Sequence, residues 1–256
     1  MIGTHFDIIS DLNLTSMDDC IWENKATSLF CLVAGNISAD RDILETFLEE
    51  LSYAYHMVFF IDGDLEHEYY DDLDESYQDL IELIEDYENV IYLHDNIIIM
   101  DDVCIVGANG WTTFDFTNMS TVNITIDYMK SHGIMDEDRA NEIFKLAVTD
   151  QHYMYNAITN LQEVMDINKI IMISNTVPEY DFISHNEHFN GTYTGDVMGN
   201  NGLSGCISSD EAKKIKTWVF GKPVDIVDCV RDGIHYMNNP AQTTNILEYF
   251  PKRIEI

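Results

Sequence analysis

The chain has 256 residues and carries 13 Lys and Arg against 46 Asp and Glu, which gives a formal charge of −33. Such a surface repels nucleic acid and anionic membranes, because binding to a polyanion requires basic side chains that displace its counterions. The length suffices for one α/β domain with a single large core, so we expect residues 1–256 to form one domain.

The cysteines and the amino terminus bear on the cell compartment. The first residues are polar, and no run is long and apolar enough to span a bilayer, so the sequence predicts neither a signal peptide nor a membrane span. Five cysteines form an odd, scattered set, several of them inside apolar runs. This pattern is typical of reduced core thiols. We therefore expect a cytoplasmic protein; a place in a viral particle is a further hypothesis.

Short apolar runs that alternate with amphipathic segments predict a layered α/β fold. We expect helices from about residue 38, over 70–88 and within 136–166, and a capping box over Ser208–Glu211 predicts the start of another. Residues 178–207, rich in Asn, Gly and Ser, are expected to form a long loop. Strands are expected at 6–9, 31–34, 57–61, 90–93, 97–100, 103–106, 170–173, 217–220, 224–227 and 234–237.

Several predicted strands are followed at once by polar side chains. In layered α/β folds a site is built where strands end at their carboxyl side. We therefore expect these side chains to contribute to one site. They are Asp11, Asn13, Asn36, Asp64, Asn175 and Lys222.

The sequence motifs at these strand ends, and their order, resemble those of the calcineurin-like metallophosphoesterase family over nearly the whole chain. Gly107–Trp111 is similar to a Gly-x-x-x-Trp segment of that family, and Asn239-Pro240 is similar to its closing Asn-Pro turn. The resemblance implies a single domain with a four-layer α/β/β/α sandwich. It also implies two metal ions that activate a water and clamp a phosphate.

Most of the family's metal-binding positions carry other residues here. The family motifs are Asp-x-His, Gly-Asp, Gly-Asn-His-Glu/Asp, a lone His and Gly-His-x-His, and only the first Asp is kept, as Asp11. Amides bind divalent ions weakly, aliphatic side chains do not bind them, and an ammonium repels them. The sequence therefore predicts a vestigial site without catalytic residues, bound metal or other cofactor. The replacing residues are Asn13, Asn36, Asp64, Leu65, Asn175, Lys222 and Val224.

We interpret the altered site as a hydrogen-bonded plug, in which Lys222 pairs with Asp64 or Asp11 where a metal ion lies in the family. An alternative keeps one hard cation, Mg, Ca or Mn, on Asp11, Asp64 and Asn36. The plug favours an acidic protein-binding or structural component with a protein partner, for which a basic protein is the natural candidate. The alternative favours an active metal-dependent phosphoesterase that hydrolyses a phosphodiester or a nucleotide.

Two further groups of polar residues carry less weight. His185, Glu187 and His188 have a ligand-like spacing, but they lie in the predicted loop, and surface histidines are the simpler interpretation. Asp62 and His67 crowd the third strand end, where a shifted catalytic role for His67 has no support in the sequence.

Overall fold

The computed structural model describes residues 4–113, 137–179, 182, 188–189, 192–193, 199–200, 202–222, 225–241 and 246–256. Within these residues the chain is a mixed α/β fold. Its helices are α1 (Arg41–Ala54), α2 (Leu73–Glu85), α3 (Glu137–Gln162) and α4 (Leu203–Ser209). Its strands are β1 (His5–Ile9), β2 (Phe30–Ala34), β3 (Met57–Ile61), β4 (Val90–Tyr92), β5 (Ile97–Met100), β6 (Val103–Ala108), β7 (Lys169–Ser174), β8 (His188–Phe189), β9 (Thr192–Tyr193), β10 (Ile215–Phe220), β11 (Asp228–Arg231), β12 (Ile234–Met237) and β13 (Lys252–Glu255).

Most of the strands form two mixed sheets. Sheet A has the order β13-β1-β2-β3-β4, and sheet B has the order β11-β12-β10-β7-β6-β5. Neighbours from β1 to β4 are parallel, and so are those from β6 through β7 and β10 to β12. The edge strands β13, β5 and β11 are antiparallel to their neighbours. Parallel strands are usually buried on both faces, which explains the continuous apolar runs in the sequence.

Three apolar clusters fill the space between these elements. One cluster combines side chains of both sheets, for example Leu32 of β2 and Ile171 of β7. The adjacent residues, Val33 and Met172, point to the opposite faces, because side chains alternate along a strand. Val33 lies in a cluster with α1 and α2, and Met172 lies in a cluster with α3 and α4.

Helices α1 and α2 each begin at an aspartate. The carboxylates of Asp40 and Asp72 accept hydrogen bonds from main-chain N–H groups in the first turns of α1 and α2. These caps satisfy N–H groups that have no partner within a helix. An apolar stripe on each helix then packs toward sheet A. None of the described helices is long and apolar enough to cross a membrane.

Three predicted elements are wrong. The segment 178–207, expected to be a loop, contains the short strands β8 and β9 and the start of α4 at Leu203. The Ser208–Glu211 segment ends a helix instead of starting one, since α4 ends at Ser209. The Asp210 carboxylate then accepts hydrogen bonds from two main-chain N–H groups at the start of β10. The strand predicted at 224–227 starts instead at Asp228. The N–H of Val227 donates a hydrogen bond to the Asn238 side chain and so does not join a strand ladder. Residues 183–187 and Val224, which the sequence analysis singled out, lie outside the described residues.

Candidate functional site

Five side chains from the ends of β1, β2, β3, β7 and β10 meet at one place, and we call them the polar cluster. The Asn36 amide donates from Nδ2 to Asp11 Oδ1 and to Asn175 Oδ1, both at 2.9 Å. Asn175 Nδ2 lies 3.5 Å from Asp64 Oδ1. The main-chain N–H of Lys222 donates to Asp11 Oδ1 at 2.9 Å. Side chains up to 211 residues apart in sequence are thus joined in one network.

Lys222 pairs with Asp64, as one of the two sequence-based alternatives predicts. Its Nζ lies 2.9 Å from Asp64 Oδ2, and the lysine side chain is 3% exposed. Within the described part of the chain, Nζ has no well-aligned hydrogen bond, so the contact is an ion pair held mainly by charge. The carboxylate of Asp64 remains 22% exposed and keeps contact with solvent.

Asp11 is the most deeply buried carboxylate of the cluster. Burial raises the pKa of Asp11 to about 7, against hydrogen bonds from Asn36 and from the main chain of Lys222 that lower it. Its Oδ2 atom is buried and has no hydrogen-bond partner among the described residues. Burial therefore favours the protonated form of the Asp11 carboxyl, and a metal ion would compete with that proton.

The main chain at these strand ends is left-handed. Asp11, Asn36 and Lys222 have φ values of 50°, 56° and 71°. Asp and Asn tolerate this conformation, whereas it is uncommon for lysine. Gly35, with φ of 72°, precedes Asn36, and a Cβ there would lie 2.8 Å from the Asp62 carbonyl oxygen. Such tight turns are concentrated at functional sites in proteins generally.

Asn13 differs from the other predicted site residues. It is exposed, and its Nδ2 donates to the main-chain oxygen of Asp11 at 2.9 Å. Leu65 contributes its main chain, since its N–H donates to Asn36 Oδ1 at 3.1 Å. That bond fixes the orientation of the Asn36 amide, so the NH₂ group and not the oxygen faces Asp11.

Glu66 lies beneath the cluster and connects the loops after β2 and β3. Its carboxylate accepts main-chain hydrogen bonds from Asn36 at 3.1 Å and from Ile37 and Gly63, both at 2.6 Å. Burial raises the pKa of Glu66, and the bonds from Ile37 and Gly63 partly offset this. The sequence places Glu66 at the strand end, but its inward orientation depends on contacts that local sequence does not show.

A second buried group, the Asp62 network, lies at the same end of β3. His67 contacts Asp62 Oδ2 through Nε2 at 2.8 Å and Ser76 Oγ through Nδ1 at 2.7 Å. Tyr92 OH and Asn109 Nδ2 also donate to the Asp62 carboxylate, at 2.7 and 2.8 Å. Burial alone would raise the pKa of Asp62, but the bond and charge of His67 lower it to about 2. Ser76 is fully buried, so this Ser–His–Asp series holds β3 to α2 and is closed to a substrate.

The polar cluster does not fit a centre of two metal ions. Among the described residues, no three His, Cys, Asp or Glu side chains lie together in a way that could hold a metal ion. The anionic bridge that such a centre requires is absent, because Asn36 turns its N–H groups toward Asp11. Asp64 is the second carboxylate of the polar cluster, and the Lys222 ammonium forms an ion pair with one of its oxygens.

The chain has a phosphoesterase-like fold. Among solved structures it is similar to the phosphopantetheinyl hydrolase PptH from Mycobacterium tuberculosis, with a TM-score of 0.69 over 99% of this chain and 96% of that chain, at 11% identity. It is also similar to GAP50, the anchor in the inner membrane complex of Plasmodium, with a TM-score of 0.51 over 94% and 72% of the two chains, at 9% identity.

A putative 5′-nucleotidase from Staphylococcus aureus matches more weakly, with a TM-score of 0.46 over 94% of this chain and 49% of that chain, at 12% identity. No family model matches the sequence, and no curated protein matches it. At these identities the likeness is one of fold.

Proposed function

We propose that the protein has the four-layer α/β/β/α sandwich of the calcineurin-like phosphoesterases but does not hydrolyse phosphate esters, and that it acts as an acidic protein-binding or structural component. The observation that carries the proposal is the ion pair of Lys222 with Asp64, 2.9 Å long, beside the Asn36 amide that joins Asp11 and Asn175. These contacts support a plug whose side chains stabilise one another. The three apolar clusters support the layer order.

Charge explains why the plug disfavours metal ions. The cluster contains two carboxylates and one ammonium, and burial raises the pKa of Asp11, which disfavours its negative charge. A divalent cation would have to displace the ammonium and break the hydrogen bonds of Asn36. The buried lysine would then lose its counter-ion, which is strongly unfavourable.

A structural or binding role agrees with the general independence of fold and function. GAP50 shares the fold and is an anchor by its own description. The formal charge of −33 favours association with a basic protein through long-range attraction.

The test combines hydrolysis with metal analysis. Purified protein is assayed on an aryl phosphodiester with Mn, Mg, Ni and Ca in turn, and its metal content is measured by mass spectrometry. Asp11→Asn is compared with Asp18→Asn, an exposed aspartate outside the cluster. We expect no turnover and no stoichiometric metal in all three proteins. Turnover that disappears in Asp11→Asn and persists in Asp18→Asn would overturn the proposal.

One observation favours a second candidate, an active phosphoesterase with a single hard cation. Asp11 Oδ2 has no hydrogen-bond partner among the described residues, so this acceptor is unsatisfied and a cation would satisfy it. The cation would be Mg, Ca or Mn on Asp11, Asp64 and Asn36. Calorimetric titration of each ion distinguishes the candidates, since only this one requires binding that Asp11→Asn abolishes.

A further inference from the structure

A groove lies along one edge of sheet A, between α2 and the edge strand β4. It has a volume of about 370 Å³, within the range of natural binding clefts. Its walls are largely apolar and come from both elements, and we call it the β4 groove. The residues that matter here are Ile81, Ile84 and Glu85 from α2 and Ile91, Tyr92 and Asn96 from the β4 side.

The main chain of β4 has free bonding capacity on its outer side. The carbonyl of Asn89 and the N–H of Leu93 form hydrogen bonds with β3, at 2.8 and 2.9 Å. Because main-chain groups alternate along a strand, those of Val90 and Tyr92 face away from β3. Sheet A ends at β4 in the described part of the chain. The Tyr92 carbonyl accepts a 3.0 Å bond from the Asn96 side chain, which partly covers this edge.

Apart from His94, which lines the groove, the charged side chains of this part of the sequence that lie near it are acidic. Residues 42–113 contain 20 Asp and Glu and not one Lys or Arg. Glu85 lines the groove, and Glu82, Asp86 and Asp95 are exposed nearby in the sequence. A second copy of this chain would bring another −33 charges and would be repelled. The complementary occupant is therefore cationic.

We propose that the β4 groove binds an extended segment of another protein, in which apolar residues alternate with Lys or Arg, by adding a strand to β4. A helix beside an open strand edge suits this mode of recognition, since the edge supplies main-chain hydrogen bonds and the groove accepts alternate side chains. β4 is only three residues long, so apolar burial against the half-buried Ile81 and charge pairing with Glu85 supply the remaining affinity. The proposal rests on the protein-binding part of the proposed function, since it places a basic partner in the β4 groove. No residue of the polar cluster lines the groove, so its test does not depend on the loss of hydrolysis.

The test uses a fluorescent peptide that alternates Lys with Ile, measured by anisotropy against the full chain. A peptide of the same charge with a central proline is the control, because proline cannot complete a strand ladder. We expect the alternating peptide to bind at least about tenfold more tightly than the proline control. A tenfold difference in Kd corresponds to about 1.4 kcal/mol of binding free energy. On binding, the amide hydrogens of Val90 and Tyr92 should exchange more slowly.

Three variants locate the contact. Glu85→Lys is expected to weaken binding about three- to tenfold, while Glu211→Lys, an equal charge change at an exposed site after α4, has a smaller effect. Asn96→Ala removes the side chain that competes for the Tyr92 carbonyl, and we expect binding to tighten about two- to fivefold. The main-chain N–H at position 96 still donates to the Leu93 carbonyl in this variant, so the turn is retained.

Several results would overturn the proposal. Equal affinity for the two peptides, or equal losses in the two charge variants, would assign the binding to general surface charge. Unchanged exchange at Val90 and Tyr92 would place it elsewhere. A dimer that the peptide dissociates would assign the β4 groove to a second copy of the chain. None of these results depends on whether the polar cluster binds metal.

Discussion

The polar cluster and the Asp62 network both lie at the carboxyl ends of parallel strands and contain a buried carboxylate and amides, but they differ in hydrogen bonding. Both oxygens of Asp62 have partners, and His67 provides a group that can carry positive charge. Among the described residues, one oxygen of Asp11 has no hydrogen-bond partner, and the other accepts from the neutral donors Asn36 Nδ2 and Lys222 N–H. The pKa of Asp62 is accordingly lowered to about 2, and that of Asp11 is raised to about 7.

The difference shows which group maintains the fold. A buried carboxylate with a full set of donors stabilises its surroundings, while one with an unpaired oxygen is destabilising. The Asp62 network therefore holds the packing of β3, α2 and β6 together. The polar cluster carries incomplete hydrogen bonding and left-handed main chain, which proteins retain at present or former functional sites.

Truncation of Asp62 should have the largest effect. Asp62→Ala leaves Tyr92, His67 and Asn109 without their common acceptor, and we expect a loss of about 3–5 kcal/mol in the free energy of unfolding. Asp11→Ala should lose about 1 kcal/mol, since it removes an ill-paired carboxylate. Urea denaturation of both variants measures the contrast, and similar losses would contradict it.

A new charge in the polar cluster should come next. Asn36→Asp removes the donor to Asp11 and Asn175 and places two carboxyl groups side by side, so we expect a loss of about 2–3 kcal/mol. Asn168→Asp, the same change at an exposed position, is the control and should lose less than about 0.5 kcal/mol. If Mn or Zn at millimolar concentration restored the thermal stability of Asn36→Asp alone, the site would still be able to accept a metal ion.

The pH dependence of stability should separate two buried carboxylates. Asp62 has a folded-state pKa of about 2, below its usual 3.8, so its contribution of about 2 kcal/mol is present above pH 4 and is lost as the pH falls toward 2. Asp150 accepts its hydrogen bond from the main-chain N–H of Gly110, and burial raises its pKa to about 8. Its folded state keeps the proton, so stability should fall as the pH rises from about 4 to 8.

Isosteric variants test which carboxylate causes each of these two changes in stability. Asp62→Asn should remove the loss of stability at acid pH, and Asp150→Asn should reduce the decline toward pH 8, both followed by chemical denaturation across the range. Burial also raises the pKa values of Asp11 and Glu66, so a smaller decline should remain in Asp150→Asn. A decline of unchanged size in Asp150→Asn would show that Asp150 is not responsible.

The smallest effect is expected for the cluster lysine. Lys222→Met keeps the volume of the side chain and removes a buried ammonium, while Asp64 remains in contact with solvent, so stability should change by about 1 kcal/mol or less. A double-mutant cycle with Asp64→Asn should give a coupling energy of about 1–2 kcal/mol for the ion pair. A coupling near zero would mean that the pair does not hold the plug together.

The sequence predicts the polar cluster better than the Asp62 network for a physical reason. Asp11, Asn36 and Lys222 directly follow parallel strands, and parallel strands bring their carboxyl ends to one edge of a sheet. The Asp62 network depends on Tyr92 and Asn109, which come from separate elements, so the spacing of residues in sequence does not show it. The orientation of His67 into the core depends on the same long-range packing.

The errors in element assignment have a similar origin. Ser208–Glu211 satisfies a short helix-start pattern, but α4 already ends at Ser209, and the Asp210 side chain instead caps the turn into β10. The pattern contains no information on the apolar contacts that place α4 earlier, around Leu203 and Cys206. Local patterns therefore predict the kind of element well and its boundaries less well.

The left-handed turns that hold Asp11 and Asn36 have a consequence for protein engineering. Hydrogen bonds from main-chain N–H groups fix these positions: Asp11 N–H donates to the Gly35 carbonyl at 3.0 Å, and Asn36 N–H donates to the Glu66 carboxylate at 3.1 Å. The frame is therefore set largely without the side chains that project from it. A library that varies only those side chains would sample new ligand sets on a ready-made scaffold, with no loop to be redesigned.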